Sequence, residues 1–247
     1  MKFSEGFPVR LRFMKRGKVR FISHRDVARA FERAFRIEEL PLAFTLGFSP
    51  RPKVSFGLAL SVGHESIAEY LDFELSEAIE TDTLPERLSA ALPQGIDVTG
   101  AVPLVERALA LQEAVTLVEY RVVVADDDFE VVDHAVLAPA VDHVMASTTV
   151  PVTRTRKGRE SVDDIRPALQ SIELGSDDDG SPALELTLST NNRGARPREV
   201  LDALSTDGIV LTERRVLRIA QWIERDGARL EPLEADAFAR TLEVRAS

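Results

Sequence analysis

The 247-residue sequence contains no cysteine. That absence excludes a disulfide framework, a thiolate zinc site and a cysteine-ligated iron–sulfur cluster. Its four histidines, His24, His64, His134 and His143, include no H-x-x-x-H pair, and Pro139 interrupts the spacing between the last two. No cofactor and no metal site are expected on these grounds, although 41 acidic residues leave room for a carboxylate-held magnesium ion. Neither G-x-x-x-x-G-K-S/T nor G-x-G-x-x-G occurs, so nucleotide hydrolysis and dinucleotide binding have no motif behind them. No run approaches the ~20 apolar residues that cross a bilayer. The opening MKFSEGFPVRLRF has no apolar stretch before a small-residue cleavage site. A cytoplasmic protein with no membrane partner is the expectation.

What is present suffices for a globular core: 44% of residues are hydrophobic. The length fits one large domain or two smaller ones. The net charge of −10 disfavours non-specific nucleic-acid binding, and nothing suggests DNA specificity, but the average conceals a division. Residues 1–60 hold 13 Lys+Arg against 5 Asp+Glu, while the remainder holds 18 against 36. Such asymmetry bears on partners rather than on fold. Either the basic part faces an anionic partner, or it pairs internally with the acidic part.

Alternation of Val9, Leu11 and Phe13 with Arg10 and Arg12 predicts a half-buried strand. Ser23 and His24 precede a helix over Arg25–Ile37, with Val27, Phe31, Ala34 and Phe35 on one face. Strand-like runs follow at Ala43–Gly47, Val54–Leu60 and Tyr70–Leu75, then a helix at Pro85–Leu92 and a strand at Ile96–Val102. The order is β-α-β-β-α-β. The second half reads alike. Tyr120–Ala125 is a strand, and Val131–Met145 a helix kinked or broken at Pro139. Val150–Arg156, Gln170–Leu174 and Leu184–Leu188 are extended. Arg198–Leu204 is helical with Pro197 in its first turn, and Arg214–Trp222 closes the unit. The expected fold class is therefore α+β, two tandem ferredoxin-like (βαββαβ) domains with antiparallel sheets. Their bounds are 1–108, basic, and 109–232, with a tail at 233–247 in which Leu242 and Val244 could dock.

Four segments are candidates for function. Arg25, Arg29, Arg33 and Arg36 fall at i, i+4, i+8 and i+11, opposite the apolar stripe. Guanidinium forks match phosphate geometry, yet Asp26–Arg29 and Glu32–Arg36 could equally pair locally. Gly47–Gly57 frames Arg51 and Lys53 between prolines and glycines, the setting of a rigid binding loop. There Phe48 and Phe56 could stack on bases or anchor the loop. Arg154, Arg156, Lys157 and Arg159 surround a Lys-Gly turn suited to phosphate, unless Asp163 and Asp164 neutralise it. Asn191–Arg198, with Arg193 and Arg196, lies before a helix start and could hold an anion. His24, with Asp26 or His64, could supply an acid–base pair, though a histidine at a helix start is more often a cap or core contact. On the sheet face opposite the helices, Arg10 and Arg12 would meet Tyr70, Asp72 and Glu74. Ion pairs across strands are the plain expectation there, and a single aromatic disfavours base stacking on that face.

The runs Val9–Phe13, Phe21–Asp26, Gly47–Pro52, Ser55–Gly57 to Ser66, and Glu69–Asp72 together resemble the radical-SAM-linked protein family, a bacterial domain of unknown function. The likeness is dense over residues 8–75. In the second half it rests on the Arg-x-Arg-Lys-Gly turn and Asp164–Pro167. Members occur beside a radical SAM enzyme, fused to its C-terminus, or alone. Many carry histidine where this chain has Arg51, so the resemblance implies no metal or proton-transfer role there. Because radical SAM chemistry needs a cysteine triad, the resemblance implies an accessory protein and not the enzyme itself. The functional expectation is a non-catalytic adaptor that binds RNA or a ribonucleoprotein substrate for a separate modification enzyme. Rivals are a protein-interaction module with an acidic partner and a metal-independent RNA enzyme.

Overall fold

The computed structural model describes residues 6–104, 108–156, 158–191, 194–206 and 208–235. The chain is a mixed α+β protein with mostly antiparallel sheet and few helices. It divides into two compact units. Thr116–Ala220 form one, and the described residues on either side of that span form the other.

In the first unit the elements run β1 (Phe7–Lys15), α1 (His24–Ile37), β2 (Val54–Phe56), β3 (Glu65–Leu75), α2 (Leu84–Ala91) and β4 (Ile96–Pro103), with a short α3 (Leu111–Ala114) after them. The strands stand in the order β4-β1-β3, and both of those pairings are antiparallel. β2 adds to β3 at Leu71–Phe73. Inward-pointing Val9, Leu11, Phe13, Leu71, Phe73 and Leu75 pack under Val27, Phe31, Ala34 and Phe35 of α1. Phe31 meets Phe13 edge-on at 4.8 Å and Phe35 stacks on Phe73 at 5.0 Å. Each such side chain contributes about 1.5–3 kcal/mol relative to exposure. Ser23 caps α1 by accepting the Asp26 N–H, which satisfies one orphan donor of the first turn.

In the second unit the elements are β5 (Leu117–Ala125), α4 (His134–Ala146), β6 (Pro151–Arg156), β7 (Arg159–Asp164), β8 (Leu169–Ser176), β9 (Pro182–Ser189), α5 (Pro197–Leu204) and β10 (Thr212–Arg225). Its sheet order is β10-β5-β9-β8. β6 and β7 form a separate two-stranded hairpin between α4 and β8. α4 runs on through Pro139, where a kink or break was expected, so the helix is not broken there. Leu137, Val141 and Val144 are buried on both sides of the proline, and that packing offsets the one backbone hydrogen bond Pro139 removes.

Other expectations change as well. Ala43–Gly47 is a loop, not a strand, tied by single bridges at Leu42–Leu75 and Phe44–Pro52. β2 stops at Phe56 instead of reaching Leu60, and β3 starts at Glu65 instead of Tyr70. The unit boundary falls after Val115 rather than after residue 108. Residues from Gln221 on belong with the first unit, so β10 passes from one unit into the other. The contacts there reach far back along the chain: Gln221 donates its side-chain N–H to Ala68 O at 2.5 Å. Just beyond, Arg10 donates to Pro232 O and the Tyr70 hydroxyl donates to the Glu231 carboxylate. The polar face of β1 and β3 needs these partners. Leu242 and Val244, offered as docking residues, lie outside the described residues.

Candidate nucleic-acid interface

The outward face of α1 carries the four arginines as the spacing implied, all exposed. Arg29 is neutralised by Asp26 at 3.2 Å, and Arg36 donates to Glu32 O one turn back. Arg25 and Arg33 have no side-chain partner among the described residues. The reason is geometric. A helix face turned away from its sheet points into water, where only neighbours three or four residues away can reach it.

The loop between α1 and β2 is closed at its neck. Thr45 N–H donates to Arg51 O at 2.8 Å, Lys53 N–H donates to Ala43 O at 2.9 Å, and Arg51 N–H donates to Thr45 Oγ1 at 3.1 Å. Its two phenylalanines part company. Phe56 packs on the core, edge-on to Phe13 and Phe31. Phe48 is fully exposed at 112%, Leu46 stands at 91% beside it, and the Arg51 side chain is exposed. Lys53, offered with Arg51 as a binding residue of this loop, is paired with Glu74 at 2.5 Å.

The polar sheet face holds one of the cross-strand ion pairs expected of it, while Arg12 and Glu74 find other partners. Arg10, only 1% exposed, forks onto Asp72 with bonds of 2.7 and 2.9 Å. Arg12 lies 3.9 Å from Glu231. Burial, and then the Glu231 charge, raise the Tyr70 hydroxyl above its ordinary pKa. This face is contacted by the chain's own residues Glu231 and Pro232.

His24 opens α1 and leans edge-on against Phe56 at 5.0 Å. The Asp26 carboxylate is engaged by the Ser23 hydroxyl at 2.7 Å and by Arg29. The Ser23 bond lowers the pKa of Asp26, and no hydrogen bond joins Asp26 to His24 among the described residues. His64 is buried but does not line the same cavity as His24. Sequence reasoning missed the groups that do. A void of about 20 Å³ is bordered by His24, Lys15, Glu69 and Tyr70. Lys15 and Glu69 are buried, and Lys15 donates to Arg20 O and Ile22 O at 3.3 and 3.2 Å. Desolvation lowers the Lys15 pKa, and the Glu69 charge opposes that shift. The parity signal was there: Lys15 continues the inward series of Val9, Leu11 and Phe13, and Glu69 precedes that of Leu71 and Phe73. A space of this size holds one water and no nucleotide.

In the second unit, Arg154 is held by Glu199 through bonds of 2.7 and 2.8 Å, by Asp163 at 3.3 Å and by Gly194 O at 2.8 Å. The Glu199 bond keeps it more firmly protonated than an ordinary arginine. That corrects its assignment to an anion site. Arg159 and Arg196 are exposed without a side-chain partner among the described residues. The Arg196 backbone N–H donates to Glu199 at 2.9 Å, so the helix start at Pro197 is capped internally. Lys157 and Arg193 lie outside the described residues, as does the side chain of Arg156. A larger cavity of about 370 Å³ is bordered by Asp126, Asp127, Asp128 and Asp133, which would repel an anion. Among the described residues no group of acidic or histidine side chains is placed to hold a metal, and no helix is long and apolar enough to cross a membrane.

A family model described as an uncharacterized protein conserved in bacteria (DUF2344) matches residues 9–197. The chain belongs to that family. The match begins in β1 and ends at the first residue of α5, so it takes in the α1 face and the loop of the first unit and the hairpin of the second. No curated protein matches the chain in sequence. Among solved structures, a chain from a crystal structure of a Cbf5-Nop10-Gar1 complex aligns with 89% of this chain and 50% of its own length. The identity is 10% and the TM-score 0.46. This chain therefore spans about half the length of that one, and a likeness so distant bears on neither fold nor function.

Proposed function

We propose that this member of the family is a non-catalytic accessory protein that binds RNA, or a ribonucleoprotein substrate, for a separate modification enzyme of the radical SAM type. One observation carries the reading. Arg25, Arg33 and Arg51 stay exposed and without a carboxylate partner among the described residues, in a chain with 41 acidic residues. Cations kept free of the protein's own acids are available to phosphate. Lys53 and Arg154, already paired, leave the contact set, whereas Arg159 and Arg196 stay in it. Both units are read as ferredoxin-like: the order β4-β1-β3 with β2 beside β3 recurs as β10-β5-β9-β8. The radical SAM connection rests on the resemblance of residues 8–75. With no cysteine to ligate a cluster, the chain would supply binding and leave the chemistry to its partner.

The test is binding of structured RNA across a salt series. Each phosphate contact contributes roughly −0.7 to −0.9 to the slope of log affinity against log salt. A triple Arg25→Ala, Arg33→Ala, Arg51→Ala variant should flatten that slope by about 2–3. Affinity that ignores salt in the native chain would end this reading. A second reading has the same cations dock an acidic protein, and the exposed Leu46 and Phe48 suit such a partner too. One stoichiometric protein recovered by pull-down after nuclease treatment would favour it.

A further inference from the structure

Resting on the RNA-binding reading, we infer that the tip of the α1–β2 loop is a stacking platform for an unpaired base, with Phe48 as the platform and Arg51 on the adjoining phosphate.

Four observations lead there. Phe48 has no ring contact among the described residues: at 112% it is as exposed as a fully solvated residue, and Leu46 at 91% is nearly as bare. The loop nevertheless has a fixed neck, closed by the three hydrogen bonds among Ala43, Thr45, Arg51 and Lys53 and by the Phe44–Pro52 bridge. Pro50 and Pro52 stiffen it further, and Gly47 takes a φ of +136° with open space around it, a backbone state that side-chain-bearing residues avoid. An aromatic ring held out on a closed loop loses little freedom on capture, which favours binding.

The third observation is electrostatic. Residues 40–64 contain no Asp or Glu, although the chain has 41 of them. Nothing in this stretch repels a phosphate, and Arg51 supplies a cation three residues from the ring. The fourth is the contrast with Phe56, the other aromatic of the same loop, which is spent on Phe13, Phe31 and His24. One phenylalanine anchors and the other is presented.

A base fits this pairing better than a lipid surface does. Two apolar tips and one guanidinium bury too little apolar area to anchor the chain in a lipid surface. Duplex RNA buries its base faces, so the platform selects single-stranded segments. Stacking alone reads no sequence.

The experiment uses the full chain with a fluorescently labelled single-stranded oligoribonucleotide, the same strand in a duplex, and an abasic strand that keeps the phosphates. Phe48→Ala should weaken single-strand binding about tenfold or more, leave the salt slope unchanged and have no effect on the abasic strand. Phe48→Trp should restore affinity, and its emission should be quenched by the base-bearing strand only. Equal loss on both strands, or no loss with Phe48→Ala, overturns the platform while leaving RNA binding standing. Absence of RNA binding by the native chain overturns both readings. Phe48-dependent capture of anionic phospholipid vesicles, with RNA binding untouched by the substitution, assigns the loop to membranes and overturns the inference.

Discussion

Helix α1 of the first unit and hairpin β6–β7 of the second are both arginine-rich, yet they treat their cations in opposite ways. On α1, Arg25 and Arg33 look into solvent, and among the described residues only Arg29 finds a carboxylate, its own neighbour Asp26. On β6, Arg154 lies under α5, whose Glu199 reaches it with both oxygens while Asp163 approaches across the hairpin. An arginine is left for a partner where no other element of the chain packs over it. Where one does, guanidinium becomes part of the scaffold, because a buried charge must be paired.

The sharpest way to break this comparison is Arg154→Ala. The side chains of Arg154, Glu199 and Asp163 are all mostly buried. Removing the cation strips two largely buried carboxylates of their guanidinium. About 2–3 kcal/mol of stability should be lost, read from urea unfolding midpoints, with the salt slope of RNA binding unmoved. A stable variant with a flatter slope would reverse the assignment.

The complementary experiment takes Arg25→Ala and Arg33→Ala together, where the expected profile is inverted. Stability should stay within about 0.5 kcal/mol, while the salt slope falls by about 1.4 on a single strand. Lys53→Ala sharpens the contrast within one loop. Its pair with Glu74 is about one-third exposed on each side, so screening holds its worth to about 0.5 kcal/mol. The slope should be that of the native chain. A slope change equal to that of Arg51→Ala would return Lys53 to the contact set.

The smallest effect concerns acid. Asp164 accepts backbone N–H bonds from Val150 and Arg166, and these hold its carboxyl below its ordinary pKa. A depressed folded-state pKa means stability that is present above the unfolded value of roughly 3.9 and is lost as pH falls through the folded one. Asp164→Asn should therefore be less stable than the native chain at neutral pH, and the two unfolding midpoints should converge in acid. The same gap at every pH would show that the carboxylate charge is not what these bonds select.

Legibility followed the range of the interactions. The apolar stripe of α1 and the alternation of β1 are local patterns, and both predicted the burial found for Val27, Phe31, Leu11 and Phe13. Arg10 opposite Asp72 followed from strand parity, and the register places them together. Lys15 and Glu69 were legible by the same parity and went unread because charged residues are not looked for on an inward face. What could not be read lay far along the chain. Glu199 is 45 residues from Arg154, and Glu231 is 161 from Tyr70. The end of β10 joins the first unit through contacts with segments about 150 residues earlier. Phe48 and Phe56 differ only in which one the core accepts.

The sequence by itself determined the mixed α+β character, the main helices and sheet strands of each half, the absence of thiolate chemistry and the gathering of cations before residue 60. Periodicity and composition are properties of neighbours in the chain, and they survive without a fold. Tertiary structure alone decided which cations meet a carboxylate, which phenylalanine is left bare and where one unit ends. Those outcomes depend on which remote segments come within hydrogen-bonding reach, and only the folded backbone sets that distance.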